Sequence, residues 1–112
     1  MVVGDGFNTM PLSREARPTP EEYSLSDAYP NPFNPTTTLS FCVKTEGYIN
    51  LSIYDITGRL VSTLVDGNME RGYHSMVWNG LDSNGNAVSS GMYFYALQGE
   101  GVYITKKMML MK

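Results

Sequence analysis

A nucleophilic or acid–base mechanism needs a nucleophile, a base and an orienting group within reach of one another. The 112-residue sequence has one histidine, His74, which shares alternating parity with Met76 and Trp78 and has no carboxylate beside it. That pattern places His74 on the flank of a core rather than in a proton relay. Cys42 is the single cysteine, so no internal disulfide can form. It alternates with Ser40 and Lys44, and Lys44 is the one nearby cation able to favour a thiolate, so it reads as a small, partly exposed strand residue. Asp82-x-Asn84-x-Asn86 has the start of a calcium loop. Gly85 falls at the fourth place instead of the sixth, however, and Tyr93 stands where the twelfth-position glutamate is needed. Gly85-x5-Gly91 lacks the Lys-Ser/Thr pair of a phosphate loop. Clustered metal ligands are absent from the pattern. The expectation is no catalytic residue, no metal, no cofactor and no enzymatic activity.

The elements that hold these residues follow from composition and periodicity. Hydrophobic residues make up 42% of the chain and charged residues 17%, which suits a globular domain. A net charge of −3 gives no basic footprint for nucleic acid. No apolar run has the length of a membrane span, so stable membrane insertion is not expected. The opening MVVGDGFNTM has no basic region followed by an apolar stretch, so it is not a signal peptide. The chain is expected to be one domain with a tail.

All six prolines lie at or before Pro35. Residues 1–22 are rich in Pro, Gly, Ser, Thr and charge and read as a linker or the end of a preceding domain. Tyr23-Ser24-Leu25 can form a short strand. In Tyr29-Pro30-Asn31-Pro32-Phe33-Asn34-Pro35 three prolines forbid helix and central strand. That lead-in must run extended or turn sharply, with Tyr29 and Phe33 as its expected anchors. Alternation then resumes. Leu39, Phe41 and Val43 share one face of the next strand. Ile49, Leu51 and Ile53 point inward on the following one, with Tyr48, Asn50, Ser52 and Tyr54 outward. Asp55-Ile56-Thr57-Gly58 is a turn with glycine last. Residues 59–66 give another strand, with Leu60 or Val61 and Leu64 expected inside. Gly67-Asn68 is its expected end.

The stretch His74 to Leu97 is read as a hairpin about the loop of residues 81–87, with Asn84-Gly85 at its tip. Trp78, the one tryptophan, is the expected centre of the core, joined by Phe41, Leu51, Ile53 and Tyr95. Gly99-Glu100-Gly101 turns the chain into a last strand that ends Lys106-Lys107-Met108-Met109-Leu110-Met111-Lys112. Its tip is apolar on both parities, like a strand buried on two faces or one with a face awaiting a partner, and its lysines protect the edge. About seven short strands at this spacing predict an all-β, immunoglobulin- or fibronectin-like Greek-key β-sandwich of antiparallel strands. In such a fold the outward Tyr48 and Tyr54 adjoin Met92 and Phe94 as one apolar–aromatic patch, a sugar platform or protein docking face. The lead-in is expected to cover it.

Four segments in this order and spacing resemble a known family. They are Tyr29-Pro-Asn-Pro-Phe-Asn-Pro-Thr-Thr-Thr-Leu-Ser-Phe, Leu51-Ser-Ile-Tyr-Asp-Ile-Thr-Gly-Arg-Leu-Val, Val77-Trp-Asn-Gly-Leu-Asp-Ser-Asn-Gly-Asn-Ala-Val-Ser-Ser-Gly-Met-Tyr-Phe-Tyr and Lys106-Lys-Met-Met-Leu-Met-Lys. Over residues 23–112 the chain resembles the type A C-terminal sorting domain of the type IX (Por) secretion system. The resemblance implies a β-sandwich that directs an attached N-terminal cargo across the outer membrane of bacteria of the Bacteroidetes–Chlorobi kind. Its implied partners are the outer-membrane translocon, a shuttle, and a cell-surface sortase that usually cleaves the domain off. Pro30, Asn31, Pro32, Gly91, Tyr93, Lys107, Met108, Leu110 and Lys112 fall on the family's motifs. Asn79 stands where an aspartate usually follows the core tryptophan, and methionine replaces most of the terminal aliphatics.

The resemblance also implies a signal peptide on the full precursor, so this chain is expected to be part of a longer exported protein, with the cargo boundary in residues 1–22. A related alternative is the Ig-like domain of flagellar hook-capping proteins, which shares the tryptophan loop and Gly-x-Tyr strand but leaves the lead-in and the terminus unexplained. A third is a carbohydrate-binding or adhesion module of a secreted hydrolase.

Overall fold

The structure, a computed structural model, describes residues 22–112, so the tail expected over residues 1–22 lies outside the described residues except for Glu22. Seven strands form among them: β1 (Ser24–Leu25), β2 (Thr37–Val43), β3 (Gly47–Tyr54), β4 (Leu60–Met69), β5 (Gly72–Trp78), β6 (Gly91–Gly99) and β7 (Val102–Leu110). They build a sheet of order β1-β2-β5 facing a sheet of order β4-β3-β6-β7, with every ladder antiparallel. This is the sandwich that the strand spacing predicts.

Alternation turns sequence into core. In β2 every second residue, Thr37 through Val43, is buried, and the intervening ones are half-exposed. Leu39, Leu51, Ile53 and Tyr95 are fully buried, and Phe41 and Trp78 nearly so, filling the space between the sheets. Removing such apolar surface from water supplies about 1.5–3 kcal/mol for each large side chain. The expected core group of Trp78, Phe41, Leu51, Ile53 and Tyr95 is one cluster.

His74 to Leu97 is not a hairpin. β5 pairs with β2, from Thr37↔Trp78 to Val43↔Gly72, whereas β6 lies between β3 and β7 in the other sheet. Residues 79–90 therefore cross the sandwich. The loop does close locally: Leu81 bridges Ala87, and Asp82 Oδ1 accepts from the backbone N–H groups of Asn84 and Asn86, each at 2.9 Å. The turn and the alternation of the flanking strands are as the residues predict. Neither carries information on which strand lies alongside, so two inward faces that meet across the core look the same as two that share a sheet.

β4 departs from expectation as well. Register shifts opposite Leu51/Ser52 and Ile53/Tyr54 break its alternation, so Val65 is buried, Leu60 is exposed, and the expected Val61 and Leu64 are half-buried but pack against the core. A bulge shifts side-chain phase by one residue, and the sequence does not signal it. The strand also runs past the expected stop at Gly67-Asn68 to Met69.

Candidate functional site

The two segments farthest apart in the sandwich sequence meet in the structure. The lead-in runs beside the tip of β7 as a parallel extension of its sheet, through a Phe33↔Leu110 bridge. Phe33 N–H donates to the Met109 carbonyl (3.0 Å), and Met111 N–H donates to the Phe33 carbonyl (2.9 Å). Asn31 Oδ1 accepts from Met109 N–H at 3.0 Å. The Pro30 carbonyl accepts from the buried Thr37 hydroxyl at 2.8 Å, and Lys106 pairs with Asp27 at 3.0 Å. An edge strand otherwise leaves a row of backbone groups open to pairing. Here the lead-in takes up those of the β7 tip, and its prolines cannot pass the ladder on.

Phe33 anchors this contact. Its side chain is 2% exposed and its ring lies 5.6 Å from that of Trp78. Tyr29, the other expected anchor, is 80% exposed, and only its backbone is engaged, in a two-way bridge with Thr38. The lead-in reaches the outward aromatic patch only at its edge, where Asn31 borders the same groove as Phe94. It is drawn to the tryptophan at the sandwich end, and Tyr48 remains exposed.

The nine residues singled out from the sequence gather at one end of the sandwich and divide by environment. Gly91 pairs with Leu110 and Tyr93 with Met108 in the β6–β7 ladder, and Lys112 N–H donates to Ser90 Oγ at 3.1 Å. Tyr93, Met108 and Leu110 are buried. Tyr93 donates to the Ser89 carbonyl at 2.6 Å, with its ring edge-on to Trp78 at 5.4 Å, the corner found at the equivalent strand of immunoglobulin-type sandwiches. Gly91 has φ 150°, a region that side chains strongly disfavour. These four are framework. Pro30, Asn31, Pro32, Lys107 and Lys112 are exposed on the surface of that frame. Gly80, with φ 78°, packs into it: a Cβ there would lie 3.3 Å from the Pro35 carbonyl and 3.8 Å from Leu110 Cδ2. Sequence reasoning missed Gly80 as a joint residue, although the Trp78-Asn79-Gly80 string points to it.

The residues first weighed for chemistry lie elsewhere. The His74 ring stacks on Phe41 at 5.5 Å, and its Nε2–H donates to the Glu70 carbonyl at 2.7 Å. Cys42 is half-buried, paired with Ser24 and Tyr73 on the outer face of the three-stranded sheet. Asp82 spends its carboxylate on its own turn. Among the described residues no three His, Cys, Asp or Glu side chains are grouped to hold a metal.

Two groups are strongly shifted by their surroundings. Asp55 Oδ1 accepts from the Thr57 hydroxyl (2.6 Å), Thr57 N–H (2.9 Å) and Arg59 N–H (3.0 Å). The Thr57 hydroxyl foremost, then the Arg59 amide, hold its carboxyl at about 2. A carboxylate whose folded pKa is depressed contributes stability above its unfolded pKa and loses it as pH falls through the folded value. Asp55→Asn is therefore expected to flatten the loss of stability between about pH 4 and about pH 2, followed by circular dichroism during acid titration. Burial pushes the Tyr95 phenol up to about 12, where its hydroxyl donates to the Ser26 carbonyl at 2.8 Å. The corresponding stability is present below about pH 10 and is lost as pH rises toward about 12, so Tyr95→Phe is expected to blunt alkaline unfolding in that window.

Two antiparallel sheets of three and four strands, a corner tyrosine and a central tryptophan define an immunoglobulin-like sandwich module. Residues 36–101 match the family described as the FlgD Ig-like domain, and the chain belongs to that family. No curated protein matches the sequence. Among solved structures the fold is similar to part of PorZ from Porphyromonas gingivalis, an essential bacterial surface component of the type-IX secretion system, at 23% identity and a TM-score of 0.55 over 77% of this chain. It is similar to dimeric latent PorU from the same organism, at 20% identity and a TM-score of 0.62 over 91% of this chain. It is also similar to FlgD from Xanthomonas campestris, a protein of hook capping in flagellar assembly, at 22% identity and a TM-score of 0.55 over 80% of this chain. The chain spans 11% of the PorZ chain, 10% of the PorU chain and 67% of that FlgD chain.

Proposed function

We propose that this module is a sorting domain that directs a covalently linked N-terminal cargo across the outer membrane by the type IX secretion system. The translocon and shuttle recognise it, and a cell-surface sortase then removes it, leaving the cargo at the surface or outside the cell. The domain itself performs no reaction. The observation that carries this reading is the joining of the Pro30-Asn31-Pro32 lead-in to the tip of β7, which makes one exposed surface from two motifs almost eighty residues apart (Asn31 Oδ1 to Met109 N–H, |i−j| = 78). Exposed residues held in fixed relation by a rigid scaffold are how a fold without a pocket presents a signal.

The test is a reporter with a signal peptide, fused ahead of residues 23–112 in a type IX-competent host. Surface display is expected. Asn31→Ala removes the acceptor for Met109 N–H and is expected to reduce display roughly fivefold, in line with about 1 kcal/mol for one hydrogen bond. Periplasmic retention of the intact fusion would overturn the reading.

A second reading, an Ig-like structural domain of a flagellar hook-capping protein, is favoured by the family match itself. That match ends at residue 101 and includes neither residues 29–35 nor β7. Failure of the intact fusion to leave the periplasm would favour it.

A further inference from the structure

The outer face of the four-stranded sheet is the feature that the joined ends leave unused. The ladder registers place Leu60, Tyr54, Phe94 and Lys107 in one row across all four strands, and Met92 beside Met109 in the next. Below Phe94 the outward residues are small. Ser52 is 2% exposed and Ala96 1%, so they form a floor between the Phe94 ring and the exposed Tyr103. Two open grooves meet over this floor and share Phe94 and Thr105. One, of about 330 Å³, runs toward Ile56 and Gly58; the other, of about 520 Å³, runs past Lys107 to Asn31 of the lead-in. The trough is thus continuous with the surface proposed above to carry the signal.

The two carboxylates that line the trough are already matched, Asp55 by Arg59 and Asp27 by Lys106. Lys106 is paired with Asp27, while Lys107, one residue on, is exposed and has no ion-pair partner among the described residues. A half-buried aromatic and methionine strip, Tyr54, Phe94, Met92 and Met109, rimmed by an unmatched cation is the complement of an apolar surface that carries a carboxylate. Methionine side chains adapt their shape to a partner.

We infer that this trough is a protein-docking surface, which seats an apolar side chain of the sorting partner against Phe94 and a carboxylate against Lys107. The inference rests on the sorting function and specifies the chemistry of the partner that reads it. In the reporter fusion, Phe94→Ser and Lys107→Glu are each expected to lower surface display roughly tenfold, the loss typical of a residue at the centre of an interface. Lys107→Arg should retain display. Val77→Ser, at an exposed position in the three-stranded sheet, should leave it unchanged. Melting of the purified chains guards against misfolding, and Lys107→Glu carries the test if Phe94→Ser lowers the melting temperature. Normal display of Lys107→Glu, with the unsubstituted fusion exported, would overturn the docking surface and leave the sorting reading standing. Export failure of the unsubstituted fusion would remove the sorting reading itself and the docking inference with it. Display unaffected by either substitution, with binding of soluble oligosaccharides that Phe94→Ser abolishes, would make the trough a sugar site instead and also overturn the inference.

Discussion

Phe33→Ala is expected to destabilise the domain by about 3 kcal/mol, the lower part of the range for truncating a buried phenylalanine. For a domain of this size that corresponds to a fall in melting temperature of about 15 °C. The side chain is 2% exposed and packs against Trp78, so its loss leaves a cavity at the junction of lead-in, β5 and β7. What would still hold the Phe33 end of the lead-in are its backbone hydrogen bonds to Met109 and Met111 and the Asn31 contact, worth about 1 kcal/mol each, while the Tyr29–Thr38 bridge and the Thr37–Pro30 bond hold its other end. The Phe33 end should therefore separate before the sandwich melts. Since Trp78 is the one tryptophan, its fluorescence reports the event directly. A red-shifted emission below the main transition is expected, together with faster proteolysis within residues 29–35. Unchanged emission and a melting temperature within a few degrees of the original would show that Phe33 does not anchor the segment.

Deleting residues 106–112 is expected to have the second large effect, holding a cargo reporter in the periplasm. The structure shows why that result needs a companion. The deletion removes Lys107 and Lys112, which face solvent, and also Met108 and Leu110, which are 1% and 0% exposed. Losing two core side chains costs about 2–5 kcal/mol each. That is comparable to the whole stability of a small domain. It also strips β6 of its outer partner from Gly91 to Tyr95 and the lead-in of its seat. The deleted chain should fail to fold cooperatively, visible as loss of near-ultraviolet dichroism, as well as fail to be exported. Asn31→Ala separates the two causes, because Asn31 is exposed and its loss leaves the core complete. Export of the deletion variant at the normal level would exclude the terminal strand from the signal.

Much of the sandwich was legible in the residues. Strict alternation in β2 and β3 located their buried faces, because one face of each strand meets the core along its full length. Asp55 to Gly58 was readable as a turn for a local reason: the Gly58 N–H donates to the Asp55 carbonyl at 3.0 Å, and the Asp55 carboxylate caps its own loop. Cys42 was placed by parity alone. The reading failed where identity of neighbours matters. Residue pattern alone joins β5 and β6 as a hairpin because the loop between them closes on itself, and it misphases β4 because a bulge has no signature in residue type.

The candidate site shows the same division. Pro30, Asn31 and Pro32, and Lys107 through Lys112, stood out through composition, since prolines and lysine-bracketed methionines are unusual beside a strand. Gly91 and Tyr93 stood with them in the sequence, but the backbone angle of the first and the buried corner bond of the second make them framework.

The sequence by itself determined that the chain forms short antiparallel strands, which faces they bury, and which tryptophan they surround, because those properties arise from residues one to four positions apart. Tertiary structure alone decided that β5 and β6 belong to opposite sheets, that Phe33 rather than Tyr29 enters the core, and that Asn31 meets Met109. These contacts join segments up to 78 residues apart. Their geometry follows from how two twisted sheets close over Trp78, and no local pattern encodes it.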